Sequence, residues 1–356
     1  MQYKNILVTG GAGFVGSHIC LKLKEHYPNV EITALDNLHR KGSELNIPRL
    51  QQHGVNFVKK DVRYREELEE STKAIDLIIE CSAEPSVMAG VGGSPEYVID
   101  TNLVGAINCF ELARKREADI VFLSTSRIYP VKALNNLAYT EEETRYILQD
   151  NQDIPGASKN GISEEFPIDG VRTIYGTTKL SAELMLQEYI ENYGIKGIIN
   201  RCGVISGTWQ MGKVDQGVIV FWMAQHIFNK PLAYIGYNGL GKQVRDIVDI
   251  DDLFQLLLIE LNDMEKYSGA TYNVGGGLTN SVSLLELTKH CQRITGNNVP
   301  IKRDLETRKG DIRVYLSDCR KIISESGWQP RKSIEESLEE IYRWIIENKN
   351  ELEHIL

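Results

Sequence analysis

A glycine-rich segment directly after the first apolar run limits the possible folds of this chain more than any other feature. It occupies residues 9–16 (TGGAGFVG), following residues 6–8 (ILV) and opening a pattern of apolar residues typical of a helix. Glycines at 10, 13 and 16 allow a tight turn, a close approach to a pyrophosphate, and close packing of helix on sheet. The helix N-terminus would present free N–H groups and a positive dipole end to the phosphates.

Strand and helix patterns alternate along much of the chain. Apolar runs predict strands at residues 6–8, 32–35, 55–58, 77–79, 120–123 and 198–200. Periodic apolar positions predict helices at residues 15–24, 66–71, 97–116, 175–193, 214–228 and 334–350. This alternation favours right-handed crossovers, and therefore an α/β fold with a Rossmann-type, doubly wound parallel sheet.

The length of 356 residues suits two domains. We expect a cofactor-binding domain at residues 1–201, with segments at about 243–279 returning to it. A smaller C-terminal substrate-binding domain is expected from residues 202–242 and 280–356. Residues 132–172 are polar and predicted to be irregular.

Charge and composition exclude several classes of partner. The chain carries 49 acidic and 40 basic side chains, and this net charge of −9 disfavours nucleic acids and anionic membranes. No apolar run approaches the ~20 residues of a membrane-spanning helix, and the N-terminal residues lack the pattern of a signal peptide. Six scattered cysteines without a CxxC pair indicate reduced thiols and a cytoplasmic protein. The histidines are dispersed, so no metal is expected.

A carboxylate follows the glycine loop at the distance expected for a dinucleotide site. Asp36 ends the second predicted strand, 20 residues after Gly16. A carboxylate there accepts hydrogen bonds from a ribose diol and repels a 2′-phosphate, which predicts NAD rather than NADP. Arg40 and Lys41 lie close by and would weaken that preference, and the alternative is a turn-rich loop with a surface aspartate. Asp61, after the third strand, suits either the adenine amino group or a cap on the next helix.

Tyr175 and Lys179 are four residues apart in a predicted helix, and therefore lie on one face of it. An ammonium group beside a phenol favours the phenolate, so such a tyrosine can act as a base or an acid. Among 16 tyrosines one such spacing is expected by chance, and Tyr175 alone has it. Its position supports the interpretation, because it opens a helix after the fifth strand, where a nicotinamide would lie.

Hydroxyl side chains end the fifth predicted strand at residues 124–126 (STS), followed by Arg127, Ile128 and Tyr129. Ligands of open α/β sheets bind at that edge. A hydroxyl there can share a proton with a substrate oxygen and with Tyr175. The alternative is an ordinary strand end rich in serine and threonine.

Together these segments resemble the extended short-chain dehydrogenase/reductase family, and within it the NAD-dependent nucleotide-sugar epimerases and dehydratases. Family patterns match residues 9–16, 36–38, 102, 124–129, 175, 179, 201 and 245–246. Further strings resemble the CDP-tyvelose (CDP-paratose) 2-epimerase branch: EEETRY at 141–146, DQG at 215–217, GKQVRD at 241–246, NVGG at 273–276 and RKGDIRVYLSD at 308–318. The resemblance covers nearly the whole chain. It implies NAD as the cofactor, a nucleotide sugar as the substrate, a role in polysaccharide or lipopolysaccharide O-antigen biosynthesis, and a homodimer or homotetramer.

The resemblance also assigns roles to single residues, with Thr125 as the triad hydroxyl, Tyr175 as the base and Lys179 as its partner. Contacts with NAD are implied for Gly10, Gly13, Phe14, Val15, Gly16, Asp36, Asn37, Asp61, Val62, Ala83, Asn102, Tyr175 and Lys179. Substrate contacts are implied for Ser126, Arg127, Gln216, Arg245, Arg308 and Asp311. Of these, Arg245 and Arg308 would bind the nucleotide diphosphate, and Asp311 would contact the nucleotide ribose. Ordinary surface ion pairing is the alternative for these charged residues.

Two segments depart from the family pattern. After the fourth strand, residues 81–84 read CSAE where relatives usually carry His-x-Ala-Gly. Glu84 would therefore bring a carboxylate close to the pyrophosphate and nicotinamide ribose. Val204 stands three residues after Arg201, where many relatives have a polar residue that touches the sugar nucleotide. Both differences bear on the identity of the substrate.

Three functions are open at this point. The first is an epimerase that retains NAD: Tyr175 removes a hydroxyl proton, hydride passes to NAD, the keto-sugar turns, and hydride returns to its other face. In the resembled branch the reacting centre is C2 of a CDP-hexose. The second is a nucleotide-sugar dehydratase or dehydrogenase, but dehydratases of the family carry Asp-Glu after the triad threonine, where this chain has Ser126 and Arg127. The third is a non-catalytic NAD-binding sensor, against which the intact Thr125, Tyr175 and Lys179 argue.

Overall fold

The computed structural model describes residues 2–71, 74–214 and 216–356. The strands are β1 (Asn5–Thr9), β2 (Glu31–Asp36), β3 (Asn56–Lys59), β4 (Leu77–Glu80), β5 (Asp119–Thr125), β6 (Tyr139–Glu141), β7 (Tyr146–Leu148), β8 (Ala157–Ser158), β9 (Gly161–Ile162), β10 (Gly197–Cys202), β11 (Val204–Ser206), β12 (Leu232–Ile235), β13 (Val244–Asp249), β14 (Thr271–Val274), β15 (Ser281–Ser283), β16 (Ile301–Asp304) and β17 (Val314–Tyr315). The helices are α1 (Phe14–His26), α2 (Asn46–Gln52), α3 (Arg65–Glu70), α4 (Glu96–Ile99), α5 (Gly105–Arg116), α6 (Val131–Asn135), α7 (Ile174–Tyr193), α8 (Val218–Ile227), α9 (Ile250–Asn262), α10 (Met264–Tyr267), α11 (Leu284–Thr295), α12 (Arg320–Ser326), α13 (Ile334–Glu347) and α14 (Lys349–Leu352).

A seven-stranded parallel sheet has the order β14-β10-β5-β4-β1-β2-β3. Ile6 of β1 pairs with Ile32 on one side and with Leu77 on the other, which places β1 inside the sheet. The strand order reverses between β1 and β4, and ligands of doubly wound sheets bind at the carboxyl ends of strands at such a point. The predicted α/β, Rossmann-type fold is confirmed.

The chain divides into two compact units. The first comprises Met1–Thr125, Ile174–Arg201 and Phe254–Thr271, and the second comprises Ser126–Thr173, Cys202–Leu253 and Tyr272–Leu356. Residues 126–173, 243–253 and 272–279 therefore lie in the second unit, whereas the sequence-based boundaries group them with the first. This division does not show which ligand each unit binds, so the assignment of domains to NAD and to the nucleotide sugar stays a prediction.

The core of the first unit fixes α7 against the sheet. Leu7 of β1 and Phe122 of β5 are buried with Phe110 of α5 and Leu186 of α7. The rings of Phe110 and Phe122 meet edge to face with centroids 5.6 Å apart. Because apolar burial holds α7 along its length, the polar residues in its first turns have a fixed position.

Three predicted helices differ in the structure. The helix predicted at 97–116 is interrupted by a π turn, Asp100–Val104, between α4 and α5. The helix predicted at 214–228 begins only at Val218, because Gly217 adopts a left-handed φ of 63° that ends the preceding irregular segment. Asp215 lies outside the described residues. The helix predicted at 334–350 ends at Glu347, and the short helix α14 follows.

The polar segment at residues 132–172 contains local structure that its composition does not indicate. Strands β6 and β7 form one antiparallel hairpin, and β8 and β9 form another. The first hairpin is anchored by Arg145, whose Nε lies 2.8 Å from Oε1 of Glu286 at the start of α11. The segment belongs to the second unit.

Candidate active site

The glycine loop that joins β1 to α1 leaves no room for side chains. Gly10 has a φ of 61°, and a Cβ on it would lie 2.9 Å from the carbonyl oxygen of Cys81. A Cβ on Gly16 would lie 2.3 Å from the carbonyl oxygen of Gly10. Gly13 is the N-cap of α1, whose first turn, beginning with Phe14 and Val15, carries no acidic residue. The narrow loop and the positive helix end fit a dinucleotide pyrophosphate.

Asp36, the last residue of β2, lies against this loop. Its Oδ2 accepts a hydrogen bond from the N–H of Ala12 at 3.1 Å, and its Oδ1 accepts one from the N–H of Leu38 at 2.8 Å. Burial raises the pKa of Asp36 above its ordinary value, although these N–H groups act in the opposite direction. The position suits the predicted ribose contact, and the preference over NADP stays a prediction.

Asp61 is held by its neighbours after β3. Its Oδ2 accepts from Nδ2 of Asn37 at 3.0 Å and from Nη2 of Arg63 at 2.7 Å. The N-cap of α3 is Tyr64, which has no side-chain cap bond, so the Asp61 side chain does not cap this helix. Next to Asp61, Val62 touches the start of α5, where a Cβ on Gly105 would lie 2.6 Å from its Cγ2.

Asn102, inside the π turn, fixes the loop that follows β4. Its Oδ1 accepts from the N–H of Glu84 at 2.8 Å, and its Nδ2 donates to the Glu84 carbonyl at 3.1 Å. The Glu84 carboxylate accepts from the N–H of Ser86 at 3.1 Å. The carboxylate thus closes a turn within its own loop, next to Ala83. Its place near the pyrophosphate and nicotinamide ribose stays a prediction.

Tyr175 and Lys179 are buried in the first turns of α7. The Nζ of Lys179 donates to the carbonyl oxygen of Leu123 at 3.0 Å and lies 3.4 Å from Oε2 of Glu80. It also lies 4.5 Å from the ring centroid of Phe122. The ammonium group is therefore held at the carboxyl ends of β4 and β5, beside the point where the strand order reverses.

Sequence reasoning misses Glu80, the last residue of β4. The side chain is fully buried, and its Oε1 accepts from Oγ1 of Thr9 at 3.5 Å. Burial raises the pKa of Glu80, and the charge of Lys179 opposes that rise. The available signal is one acidic residue that closes the apolar run at 77–79, at the edge of the sheet where ligands bind.

A second buried ion pair lies one turn further along α7. Glu183 accepts from Nη2 of Arg201 at 2.7 Å, and the hydroxyl of Ser124 donates to the same carboxylate. This contact joins α7 to the ends of β5 and β10. Thr125, the predicted triad hydroxyl, follows Ser124 as the last residue of β5 and is buried.

In the second unit, Arg245 of β13 has an unusual environment for a cation. Its guanidinium donates to the carbonyl oxygens of Val244 and Ile312, both at 2.7 Å. Burial lowers the pKa of Arg245, the neighbouring charge of Arg127 lowers it further, and Asp311 acts in the opposite direction. A cation whose described hydrogen bonds go to neutral carbonyls can gain from binding an anion.

A turn at residues 308–311 belongs to the same cluster. Arg127 donates to the carbonyl oxygen of Gly310 at 3.2 Å, and the N–H of Asp311 donates to the carbonyl of Arg308 at 3.1 Å. The hydroxyl of Tyr237 donates to the Asp311 carbonyl at 3.0 Å. The structure thus brings together Arg127, Arg245 and the turn that carries Arg308 and Asp311.

The other two residues predicted to contact the substrate, Ser126 and Gln216, also lie in the second unit. Ser126 begins a single 3₁₀ turn, Ser126–Ile128, and Gln216 forms an isolated bridge with Lys213 before α8. Their contacts with substrate stay predictions.

No three His, Cys, Asp or Glu side chains in the part of the chain that the structure describes are grouped so that they could hold a metal ion. None of the helices described there combines the length and the apolar character needed to cross a bilayer.

Comparison with known proteins decides the family. The model of the NAD dependent epimerase/dehydratase family matches residues 6–275. This chain belongs to that family. The predicted resemblance is confirmed, and so is NAD as the cofactor, because the family is NAD-dependent.

Relatives within the epimerase/dehydratase family carry out both reactions. The chain is 28% identical to CDP-paratose 2-epimerase from Salmonella typhi, over 95% of this chain and 98% of that protein. A solved UDP-glucose 4-epimerase with UDP-glucose from Thermotoga maritima has 26% identity and a TM-score of 0.78, over 97% of this chain and 99% of the other. A dTDP-glucose 4,6-dehydratase from Bacillus anthracis in complex with NAD has 25% identity and a TM-score of 0.74, over 98% of both chains.

Proposed function

We propose that this protein is an NAD-dependent nucleotide-sugar epimerase whose substrate is a CDP-hexose that reacts at C2. The observation that carries the proposal is Arg127, which follows Thr125 and Ser126 and donates to the carbonyl of Gly310 at 3.2 Å. Dehydratases of the family have an acidic pair after the triad threonine. A guanidinium stays protonated near neutral pH and cannot act as the acid that expels a hydroxyl group. This position therefore favours epimerisation over loss of water.

The first unit would supply cofactor binding and proton transfer. When bound, NAD accepts a hydride from the sugar carbon and returns it after the sugar has turned. Tyr175 takes the proton of the sugar hydroxyl as a base and gives it back as an acid. The Lys179 ammonium favours the phenolate, and Thr125 hydrogen-bonds the same sugar oxygen. Asp36 and the glycine loop hold the adenosine ribose and the pyrophosphate.

The second unit would bind the nucleotide. Arg245 and Arg308 contact the diphosphate and Asp311 the ribose, with Ser126, Arg127 and Gln216 completing the contacts. The support for this assignment is the partly buried Arg245 guanidinium, whose described hydrogen bonds go to carbonyl oxygens. A diphosphate has charged oxygens, two of which a planar guanidinium group can bind at once.

We also propose a cytoplasmic homodimer or homotetramer that acts in polysaccharide biosynthesis. Exposed apolar side chains on the helices near Tyr175 support self-association: Leu184 is 50% exposed, Met185 36% and Val104 38%. Sedimentation equilibrium measures the mass, and a monomer at micromolar concentration would contradict this part of the proposal.

One experiment tests the reaction. Purified protein is incubated with CDP-, UDP-, GDP- and dTDP-hexoses without added NAD, and the products are identified by NMR. An epimerase gives a product inverted at one carbon, retains deuterium placed at that carbon, and releases no NADH. A 4-keto-6-deoxy product would show dehydration, and loss of the label to water would show deprotonation at carbon. Bound NAD without turnover of any hexose would favour a sensor.

A further inference from the structure

Lys179 carries its charge where water cannot stabilise it. The Lys179 side chain is 3% exposed and that of Glu80 is 1% exposed. Burial disfavours the charged form of a lysine. Apart from Glu80, the described partners of Nζ are the carbonyl of Leu123 at 3.0 Å and the ring of Phe122 at 4.5 Å. Of these partners, Glu80 is the one that can carry a full negative charge.

The position of Glu80 is fixed by the strand that leads into the glycine loop. Thr9 of β1 pairs in register with Glu80 of β4. The Thr9 hydroxyl donates to Oε1 of Glu80 at 3.5 Å and accepts from the N–H of Cys81 at 3.3 Å. The carboxylate is therefore held beside the point where the sheet reverses its order, with Oε2 left to face Lys179.

We propose that Glu80 is a positioning residue for proton transfer: it keeps Lys179 protonated and directed at the carboxyl edge of the sheet. Lys179 can then favour the phenolate of Tyr175. This inference rests on the proposed roles of Tyr175 and Lys179. A neutral residue at position 80 would leave the ammonium buried without this counter-ion, an arrangement that disfavours the charged form of a lysine.

Other titratable groups near the pair do not replace Glu80. Cys109 of α5 faces both members, and burial raises its pKa well above the ordinary value, so it stays a neutral thiol. Glu183 lies one turn along α7, and its carboxylate is bound by Arg201 at 2.7 Å. Tyr175 lies on the same helix as Lys179, and its titration is the one that reports the proposed effect.

The direct test is the titration of Tyr175 in a Glu80→Gln variant, which keeps the size and the acceptor oxygen but removes the charge. Tyrosinate absorbance is followed against pH in the holoenzyme, with the matching Tyr175→Phe protein subtracted. We expect the Tyr175 titration and the acid limb of kcat to move to higher pH by about one unit, a tenfold loss of rate on that limb. KM should change little. Glu80→Asp, which keeps the charge, should titrate close to the parent protein and show little of this shift.

A matched control separates this effect from the loss of any buried carboxyl. Glu260 is also fully buried in the first unit, but its described hydrogen bond comes from the Asn200 amide at 2.9 Å. Glu260→Gln should leave the Tyr175 titration unchanged. A comparable shift in this variant would overturn the proposal.

A double variant keeps the test decisive if Glu80→Gln fails to fold. Removing both members of a buried pair is tolerated better than removing one. In a Lys179→Met background, adding Glu80→Gln should not move the Tyr175 titration again, because Glu80 acts through Lys179. A further shift there, or an unchanged or more acidic titration in Glu80→Gln alone, would overturn the proposal. The titration needs no sugar nucleotide, so failure to turn over any hexose would count only against the proposed function.

Discussion

Two regions of the molecule treat buried charge in opposite ways. At the carboxyl ends of β4, β5 and β10, Lys179 lies 3.4 Å from Glu80 and Arg201 lies 2.7 Å from Glu183. In the second unit, the described hydrogen bonds of Arg245 go to carbonyl oxygens. A paired charge is already neutralised and holds its neighbours in place, whereas a cation among dipoles gains most from an incoming anion.

The difference indicates a division of work. The region that holds the Lys179–Glu80 and Arg201–Glu183 ion pairs, called the paired region below, has fixed geometry. Proton transfer requires such geometry because a base must lie within hydrogen-bond reach of its proton. The region around Arg245 offers charge for binding. Substitutions in the first region should therefore change kcat, and substitutions in the second should change affinity for the nucleotide sugar.

The largest effect is expected from Tyr175→Phe, which removes one hydroxyl from the paired region. Loss of general acid–base catalysis should lower kcat by 10²–10⁴-fold, with NAD binding and the fold unchanged. Rates are measured by NMR and NAD content by absorbance of the denatured protein. Tyr189→Phe on the same helix is the control, since its hydroxyl donates to Glu111 at 3.3 Å. An unchanged kcat in Tyr175→Phe would show that Tyr175 is not the group that transfers the proton.

The next largest effect is expected from Arg245→Ala. Two lost charge-assisted hydrogen bonds to the diphosphate, each worth about 1.5–3 kcal/mol, should weaken nucleotide-sugar binding by at least roughly 100-fold. NAD affinity should not change, and calorimetry measures both. Arg308→Ala should act in the same direction. The control is Arg293→Ala, which removes a partly exposed ion pair with Glu335. If both test variants bound substrate normally, the contrast between the regions would be wrong.

A smaller effect concerns Glu260, a buried carboxyl whose described hydrogen bond comes from the neutral Asn200 amide. Burial raises its pKa from 4.5 to about 8. The parent protein should therefore lose stability as pH rises from about 4.5 to about 8, because the native state resists ionisation. Glu260→Gln should be more stable than the parent by roughly 3 kcal/mol at pH 7 and equal to it near pH 4. Urea unfolding at several pH values measures this, and a destabilised variant at pH 7 would show that Glu260 is paired in solution.

The smallest effect concerns cofactor choice. NAD should bind more tightly than NADP. Asp36→Asn should lower the ratio of the NAD affinity to the NADP affinity about tenfold, because it removes repulsion of the 2′-phosphate. Fluorescence titration with both reduced dinucleotides measures the ratio. The control is Asp119→Asn, because Asp119 begins β5 and therefore lies away from the carboxyl ends of the strands. Equal binding of both dinucleotides to the parent would instead implicate Arg40 or Lys41 in phosphate recognition.

Features with a local signal are the ones that the sequence predicts. The glycine loop follows a strand and opens a helix, and Tyr175 and Lys179 share a helical face, so each is readable within a few residues. Glu80 meets Lys179 across 99 residues of chain, and no local pattern indicates that contact. The start of α8 depends on the left-handed conformation of Gly217, which composition does not specify. By sequence position, Glu84 rather than Glu80 is the carboxylate expected near the cofactor. In the structure Asn102 binds the Glu84 backbone, and the Glu84 carboxylate accepts a hydrogen bond from the N–H of Ser86.

The π turn at Asp100–Val104 has a consequence for how this chain tolerates changes in length. Successive residues of an α-helix are rotated by about 100°. Deleting one residue from the turn would give a more regular helix, but it would rotate Asn102 away from the two Glu84 backbone groups that it binds at 2.8 and 3.1 Å. Substitutions at the partly exposed Val104 should be accepted, whereas single-residue deletions there should not. Insertions and deletions among homologues should therefore avoid this helix and accumulate in surface loops.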